Sequence, residues 1–355
     1  MAKKILLVGG AGFIGRNILE SFCSEFSFYV IDNLDPLIHG VDSREIRKFL
    51  RSSSEGFLQS DYVSHEALKF VESVSPDVIV TLVSQTGTND SQNRADWYIG
   101  ENVEKFARFV QHCARKARDV RFIHLSSRAV YGAGYSQLSD GTVVENGIRT
   151  LADLEAGRFK YGWEYRWNGT YLANCESQPS RPASIYGMTK LAQEGVLSSM
   201  LPAVDGRFSI LRLQNVIGPG QSPLNPYTGL TCWFVNLALE REPIAIFENG
   251  EIWRDFIDVR DVASVVMASI NSEFKGDIID VGSGDATNLA DYARTVVQVI
   301  GSSSEVITSK QFRAGDVRWA RANVARLEKY GLPGARRTVL ESITDYYSSL
   351  LATKR

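Results

Sequence analysis

The run Gly9-Gly10-Ala11-Gly12-Phe13-Ile14-Gly15 constrains the fold of this 355-residue chain more than any other feature. It follows the apolar segment Ile5-Leu6-Leu7-Val8 and leads into a helix-period stretch, so it reads as the turn between a buried strand and a helix. Glycines at 9, 12 and 15 give the spacing G-x-x-G-x-x-G. A tight turn must leave the strand, backbone must approach a ligand with no Cβ in the way, and the helix must pack closely on the sheet. The helix N-terminus then offers unpaired N–H groups and the positive end of its dipole to a pyrophosphate. A glycine run alone also fits an ordinary strand–helix turn. Its place after the first strand, with an acidic residue ending the second, favours a dinucleotide site built on Gly9, Gly12, Phe13, Ile14 and Gly15.

That acidic residue is Asp32, after Phe28-Tyr29-Val30-Ile31. A carboxylate there accepts hydrogen bonds from the adenosine ribose hydroxyls and repels a 2′-phosphate. Asn33 follows, and no cation stands beside it in sequence, so the expected cofactor is NAD rather than NADP. Asp61, with Tyr62 beside it, is set for the adenine amino group; a loop or helix-capping role for Asp61 is the alternative.

Further short apolar runs, Val78-Ile79-Val80, Phe122-Ile123-His124-Leu125 and Phe208-Ser209-Ile210-Leu211, alternate with amphipathic stretches such as 102–117. This alternation predicts an α/β fold, a doubly wound parallel sheet of the Rossmann type. Residues 1–215 are expected to form the dinucleotide-binding domain. Within it, residues 133–181, rich in Gly, Ser, Asn and aromatics, are too long for a structureless loop and should fold locally near the site. Beyond Gly218-Pro219-Gly220 and the prolines 223 and 226 the signals shorten and mix. Residues 216–355 therefore read mainly as a smaller mixed α/β lobe on the substrate side, with some segments returning to the first domain.

A net charge of −2 gives no basic field for nucleic acid, so an anionic ligand must be held by local groups. The four cysteines, Cys23, Cys113, Cys175 and Cys232, and the four histidines are scattered, which argues against a metal site. Met1-Ala2-Lys3-Lys4 runs straight into the first strand, whose apolar run is too short for a secretion signal or membrane span. Free thiols in such a chain imply a cytoplasmic protein with no membrane partner.

Tyr186 and Lys190, in Tyr186-Gly187-Met188-Thr189-Lys190, stand one turn apart on one helix face. An ammonium beside a phenol favours phenolate, which suits a general base removing an alcohol proton while hydride leaves the same carbon. A solvated helix often carries such a pair, and the inference gains force from Ser126-Ser127 at the end of a strand, where ligands bind in parallel sheets. Serine, tyrosine and lysine could then converge on one substrate oxygen.

With the glycine motif, Asp32, and Leu125-Ser126-Ser127-Arg128-Ala129-Val130-Tyr131-Gly132, the chain resembles the extended short-chain dehydrogenase/reductase family, in its nucleotide-sugar epimerase and dehydratase branch. The resemblance spans roughly the whole chain. It implies Ser127, Tyr186 and Lys190 as catalytic residues, with Lys190 also holding the nicotinamide ribose. It places Val83, Gln85 and Asn102 along the cofactor pocket, although Val83-Ser84 replaces the usual small pair. It assigns Asn215, Arg254, Arg313 and Asp316 to the diphosphate and nucleotide of the substrate, and Arg128, beside Ser127, joins that set. Two arginines and an asparagine can hold a diphosphate by charge-assisted bonds; surface ion pairing, for Arg254 with the adjacent Asp255, is the alternative. The resemblance further implies a homodimer paired through two helices, one of them carrying Tyr186 and Lys190.

Departures from the family pattern narrow the reaction. Sugar 4,6-dehydratases carry an aspartate–glutamate pair where Arg128 and Ala129 stand, and decarboxylating relatives carry glutamate in place of Ala129. What remains is NAD-dependent epimerisation of a nucleotide-diphosphate sugar through a 4-keto intermediate, or reduction of a 4-ketosugar. Asp32 favours NAD, which suits a retained cofactor and hence the epimerase. Pro182-Ala183-Ser184-Ile185-Tyr186, Asn215-Val216-Ile217-Gly218-Pro219-Gly220-Gln221 and residues 225–229 also resemble bacterial epimerases of activated deoxyhexoses such as thymidine-diphosphate rhamnose. A non-catalytic NAD-sensing regulator on the same fold is the third reading; an intact Ser127, Tyr186 and Lys190 argue against it.

Overall fold

A computed structural model describes residues 2–116, 120–222, 229–272 and 274–353. Ala117, Pro223 and residues 225–228, all named above, lie outside them. Strands β1 (Lys4–Val8), β2 (Ser27–Asp32), β3 (Gly56–Gln59), β4 (Val78–Thr81) and β5 (Arg121–Ser127) join Arg207–Leu213 and Asp277–Val281 in one seven-stranded sheet. The order is Asp277–Val281, Arg207–Leu213, β5, β4, β1, β2, β3, and every neighbouring pair is parallel. The strand order reverses direction at β1 and β4, so a crevice opens at their carboxyl ends, where the glycine run begins.

The side chains of β1 show why the sheet is covered on both faces. Ile5, Leu6, Leu7 and Val8 are wholly buried. Ile5 and Leu7 enter one apolar cluster, with Ile18 and Leu19 of helix Phe13–Phe22 and Val262 and Val266 of helix Val259–Ser269. Leu6 and Val8 enter the other, with Phe106, Phe109 and Val110 of helix Lys105–Lys116 and Leu197 of helix Ile185–Met200. Period-two alternation thus feeds two cores, each fully buried side chain stabilising by about 1.5–3 kcal/mol.

The two strands absent from the sequence reading lie at the sheet edges. In β3 no residue is fully buried, so its apolar run is short and weak. Asp277–Val281 lies far along the chain, in the part read mainly as a lobe, yet pairs with Arg207–Leu213. The stretch read as one helix from Asn102 opens instead with a π-helical turn, Gly100–Glu104.

A third apolar cluster joins helices Gly229–Glu240, Leu289–Ile300 and Val339–Thr353 to the parallel pair Ile244–Ile246 and Val306–Thr308. Residues 133–181 contain a three-stranded antiparallel sheet, with Tyr135–Leu138 between Val143–Glu145 and Gly169–Tyr171. Leu138, Tyr161 and Trp163 form its small core, whereas Trp167 is exposed. The segment docks along residues 316–323: the Asn174 N–H donates to the Arg321 carbonyl at 2.7 Å, Arg318 pairs with Glu164 at 2.8 Å, and Tyr171 stacks on Trp319. No helix among the described residues is long and apolar enough to cross a membrane.

Gly15 tests the packing of the first helix. A Cβ there would lie 2.4 Å from the Gly10 carbonyl oxygen, and backbone cannot swing aside as a side chain can. Gly15→Ala is expected to cost about 1–3 kcal/mol of stability, typical of overpacking, read as a lowered midpoint in thermal unfolding. An unchanged midpoint would show that helix and turn are not in contact.

Candidate active site

The crevice above β1 and β4 is a cleft of about 450 Å³ lined by Gly9, Gly12, Phe13, Ile14 and Gly15 on one wall. Gly9 has φ +83°, and a Cβ there would meet the Val83 nitrogen at 2.9 Å. A Cβ on Gly12 would meet only the Gly9 carbonyl oxygen, at 3.3 Å, and otherwise face open space. Gly12 caps helix Phe13–Phe22 with no side-chain bond to its first N–H groups and no acidic residue in the first turn. An anion can therefore reach that helix end.

Asp32 and Asn33 line the next part of the cleft. The Asp32 carboxylate accepts the Ala11 N–H at 3.0 Å and the Leu34 N–H at 2.8 Å, one on each oxygen. Each oxygen keeps a lone pair for a ribose hydroxyl. His39, unremarked in the sequence, comes back on a short helix to stand 3.6 Å from Asp32 Oδ1. Asp61 and Tyr62 also line the cleft. Asp61 serves in addition the turn role weighed above, accepting the Val63 N–H at 3.0 Å, and its other oxygen takes Lys105 Nζ at 2.7 Å. Lys105 also pairs with Glu101, four residues away; sequence separation hid only the partnership with Asp61.

Val83, Gln85 and Asn215 line the cleft, but Asn102 does not. Asn102 is buried behind the wall, which corrects its expected place in the pocket lining. Its amide accepts the Gln85 N–H at 2.7 Å and donates to the Gln85 carbonyl at 2.9 Å and to Thr189 Oγ1 at 3.0 Å. Its carbonyl takes Gln193 Nε2 at 2.7 Å. Asn102, on the π-helical turn, therefore ties the loop after β4 to the helix carrying Tyr186 and Lys190.

Ser184 caps that helix by accepting the Gly187 N–H at 3.1 Å. A Cβ at Gly187 would lie 2.5 Å from the Ala129 carbonyl oxygen, so glycine lets the helix end press on the turn that follows Ser127. Ser127 Oγ accepts the Ala129 N–H at 3.1 Å, which leaves its proton free to donate. Burial raises the Tyr186 phenol above its ordinary value, and the hydrogen bond with Ser127 and the charge of Arg128 pull it back. Burial pushes Lys190 down to about 7, opposed by the Glu194 carboxylate. Neutral His124, held low by burial and by Lys190, lies close to it. Lys190 is buried one turn along the same helix from Tyr186.

On the other side, Arg254 Nη2 pairs with Asp316 Oδ1 at 2.6 Å. The adjacent Asp255 turns away, accepting the Ser283, Gly284 and Ala322 N–H groups, so neighbour pairing is excluded. Burial pushes the Asp316 carboxyl up, but Arg254, Arg128 and Arg313 help to outweigh it and hold the group low. Burial and Arg254 pull Arg128 down to about 10. Arg313 is exposed, its guanidinium 5.5 Å from the Trp233 ring centre and 5.4 Å from that of Phe247. One carboxylate among three guanidinium groups leaves net positive charge suited to a diphosphate.

The model of the NAD dependent epimerase/dehydratase family matches residues 5–147 and 162–282. The chain belongs to this family. It is 38% identical over 326 residues to a dTDP-L-rhamnose 4-epimerase of Burkholderia thailandensis, covering 91% of this chain and 88% of that protein. It is 24% identical over 300 residues to human dTDP-D-glucose 4,6-dehydratase, covering 84% and 74%. Among solved structures it is similar to a UDP-N-acetylglucosamine 4-epimerase of Methanobrevibacter ruminantium, with a TM-score of 0.80, 20% identity and 99% of each chain covered. It is also similar to the NAD complex of Thermus thermophilus UDP-glucose 4-epimerase, with a TM-score of 0.76, 21% identity and 98% and 99% covered.

NAD is the cofactor of this family member, and the cleft fits it. Gly12 leaves room over an open helix end for a pyrophosphate, and Asp32 retains acceptor capacity for ribose hydroxyls. Replacing Asn102 by alanine would strand the Gln85 backbone groups and loosen the cleft wall. Asn102→Ala is expected to lose about 1–3 kcal/mol of stability, seen in thermal unfolding, together with weaker NAD binding in calorimetry. Unchanged NAD affinity would contradict the wall-positioning role.

Proposed function

We propose that this chain is an NAD-dependent isomerase that inverts C4 of a nucleotide-diphosphate sugar through a transient 4-keto intermediate. The observation that carries the reading is the packing of the first turn of helix Ile185–Met200, which bears Tyr186, against the turn that follows Ser127, where no carboxylate stands at 128 or 129 to drive loss of water. The 38% identity to a dTDP-L-rhamnose 4-epimerase supports it.

In this reading Tyr186 takes the proton of the C4 hydroxyl and later returns it, with Ser127 donating to the same oxygen. Bound NAD supplies a hydride acceptor and donor at C4. Lys190 holds the nicotinamide ribose, and Arg128 favours the anionic phenol. Asn215, Arg254 and Arg313 bind the diphosphate, and Asp316 accepts from the nucleotide. Residues 1–215 hold the cofactor and residues 216–355 mainly hold the nucleotide sugar. A cytoplasmic homodimer goes with this reading, paired through helix Ile185–Met200 and the neighbouring helix Lys105–Lys116.

The test is incubation of the purified protein with thymidine-diphosphate L-rhamnose and other nucleotide sugars, with no cofactor added beyond what it retains. Conversion to the C4 epimer, followed by nuclear magnetic resonance, is expected. Turnover only with stoichiometric reduced cofactor would contradict epimerisation and indicate a ketoreductase. Tyr186→Phe is expected to lower kcat by about 100-fold or more while NAD affinity stays the same. An unchanged rate would remove this tyrosine as the base.

A further inference from the structure

Arg149 lies between the two parts of the family match, in residues 148–161. Its side chain is buried, 5% exposed. One guanidinium touches three separate segments. Nη1 donates to the Phe159 carbonyl at 3.0 Å, inside residues 133–181, and also to the Glu248 carboxylate. Nη2 donates to the Asp316 backbone carbonyl at 2.7 Å. Tyr161 lies against it, 5.5 Å from ring centre to guanidinium carbon.

Both distant partners matter to the nucleotide side. Asp316 accepts Arg149 through its carbonyl while its carboxylate takes Arg254 at 2.6 Å and the Val317 N–H at 2.8 Å. Glu248 belongs to the turn after strand Ile244–Ile246, next to Phe247, against which Arg313 packs. Glu248 has φ +54° and Asn249 φ +59°, left-handed backbone that favours glycine, and the Glu248 carboxylate is 1% exposed. Burial pushes that carboxyl up, and Arg149 opposes it. A buried acid on an unfavourable backbone persists only where its surroundings hold it. Here the holding group is Arg149.

We infer that Arg149 is a positioning residue and that residues 133–181 are a strap, setting the nucleotide clamp through Arg149 to Asp316 and Arg254 on one side and through Glu248 to the Arg313 seat on the other. The inference rests on the reading of Arg254, Arg313 and Asp316 as that clamp. Loss of Arg149 frees the Asp316 turn to shift, so the clamp loses its shape while the NAD cleft, on the opposite side of the site, keeps its own supports.

Calorimetry with thymidine diphosphate and uridine diphosphate tests this on the full-length protein. Arg149→Met alone strands the Glu248 charge in the interior, so the decisive variant is Arg149→Met/Glu248→Gly. It removes the charge and puts glycine where the backbone is left-handed. This variant is expected to fold, to bind NAD as the wild type does, and to bind the preferred nucleoside diphosphate about tenfold more weakly, the factor set by loss of one charge-assisted hydrogen bond. KM for the nucleotide sugar should rise in step with kcat little changed, and Arg149→Lys should restore part of the affinity. Wild-type nucleoside diphosphate affinity in the folded double variant would overturn the strap alone. Failure of the wild type to bind either diphosphate would overturn the clamp reading and the strap with it.

Discussion

A buried ion pair sets the register on which the active site depends. Arg212 Nη2 meets Glu194 Oε2 at 2.6 Å and its Nε meets Oε1 at 3.0 Å, with both side chains at most 5% exposed. Ser126 Oγ donates to the same carboxylate at 2.5 Å. The bidentate pair therefore locks helix Ile185–Met200 onto strand Arg207–Leu213 and onto the end of β5. Tyr186 and Lys190 lie on that helix, and Ser127 follows Ser126. Removing either partner would leave an uncompensated buried charge, at a cost of about 3–5 kcal/mol. The Arg212 guanidinium also lies over the Tyr131 ring, whose hydroxyl donates to Asp280. Strand Asp277–Val281 is thereby joined to the same polar layer.

The two sides of the site are built differently. The cofactor side relies on backbone: glycines that leave room, an open helix end, and Asp32 fixed by the Ala11 and Leu34 N–H groups. Such a site is rigid because sheet and turn define it. The side proposed for the substrate relies on long side chains, Arg128, Arg254 and Arg313 around Asp316, whose geometry comes from what packs behind them. Residues 133–181 supply much of that backing through Tyr161, Glu164, Tyr171 and Arg149. The charge of Arg128 also eases the Tyr186 phenol toward its anion, against the effect of burial.

Much of the fold and the cofactor site was legible because local patterns encode them. Continuous apolar runs marked five of the seven strands, the glycine spacing marked the turn, and Asp32 stood at a strand end. What escaped depends on pairs distant in sequence. Glu194 with Arg212, Lys105 with Asp61 and Arg149 with Glu248 carry no local signal, since the partners stand 18, 44 and 99 residues apart. Asn102 was legible as important and misplaced, because a π-helical turn rotates it behind the wall. The burial that pushes Lys190 down to about 7, against Glu194, is a matter of depth that helical spacing does not carry.

Epimerisation at C4 requires the Tyr186 hydroxyl to meet the reacting sugar oxygen beside the nicotinamide. A crystal structure with NAD and a nucleotide sugar bound tests it most directly. The Tyr186 and Ser127 hydroxyls are both expected at about 2.6–3.2 Å from the C4 oxygen, the reach of a proton-transfer partner, with the ring's hydride-carrying carbon facing C4. A bound sugar whose C4 oxygen lies away from Tyr186, with another side chain in hydrogen-bond contact instead, would contradict it.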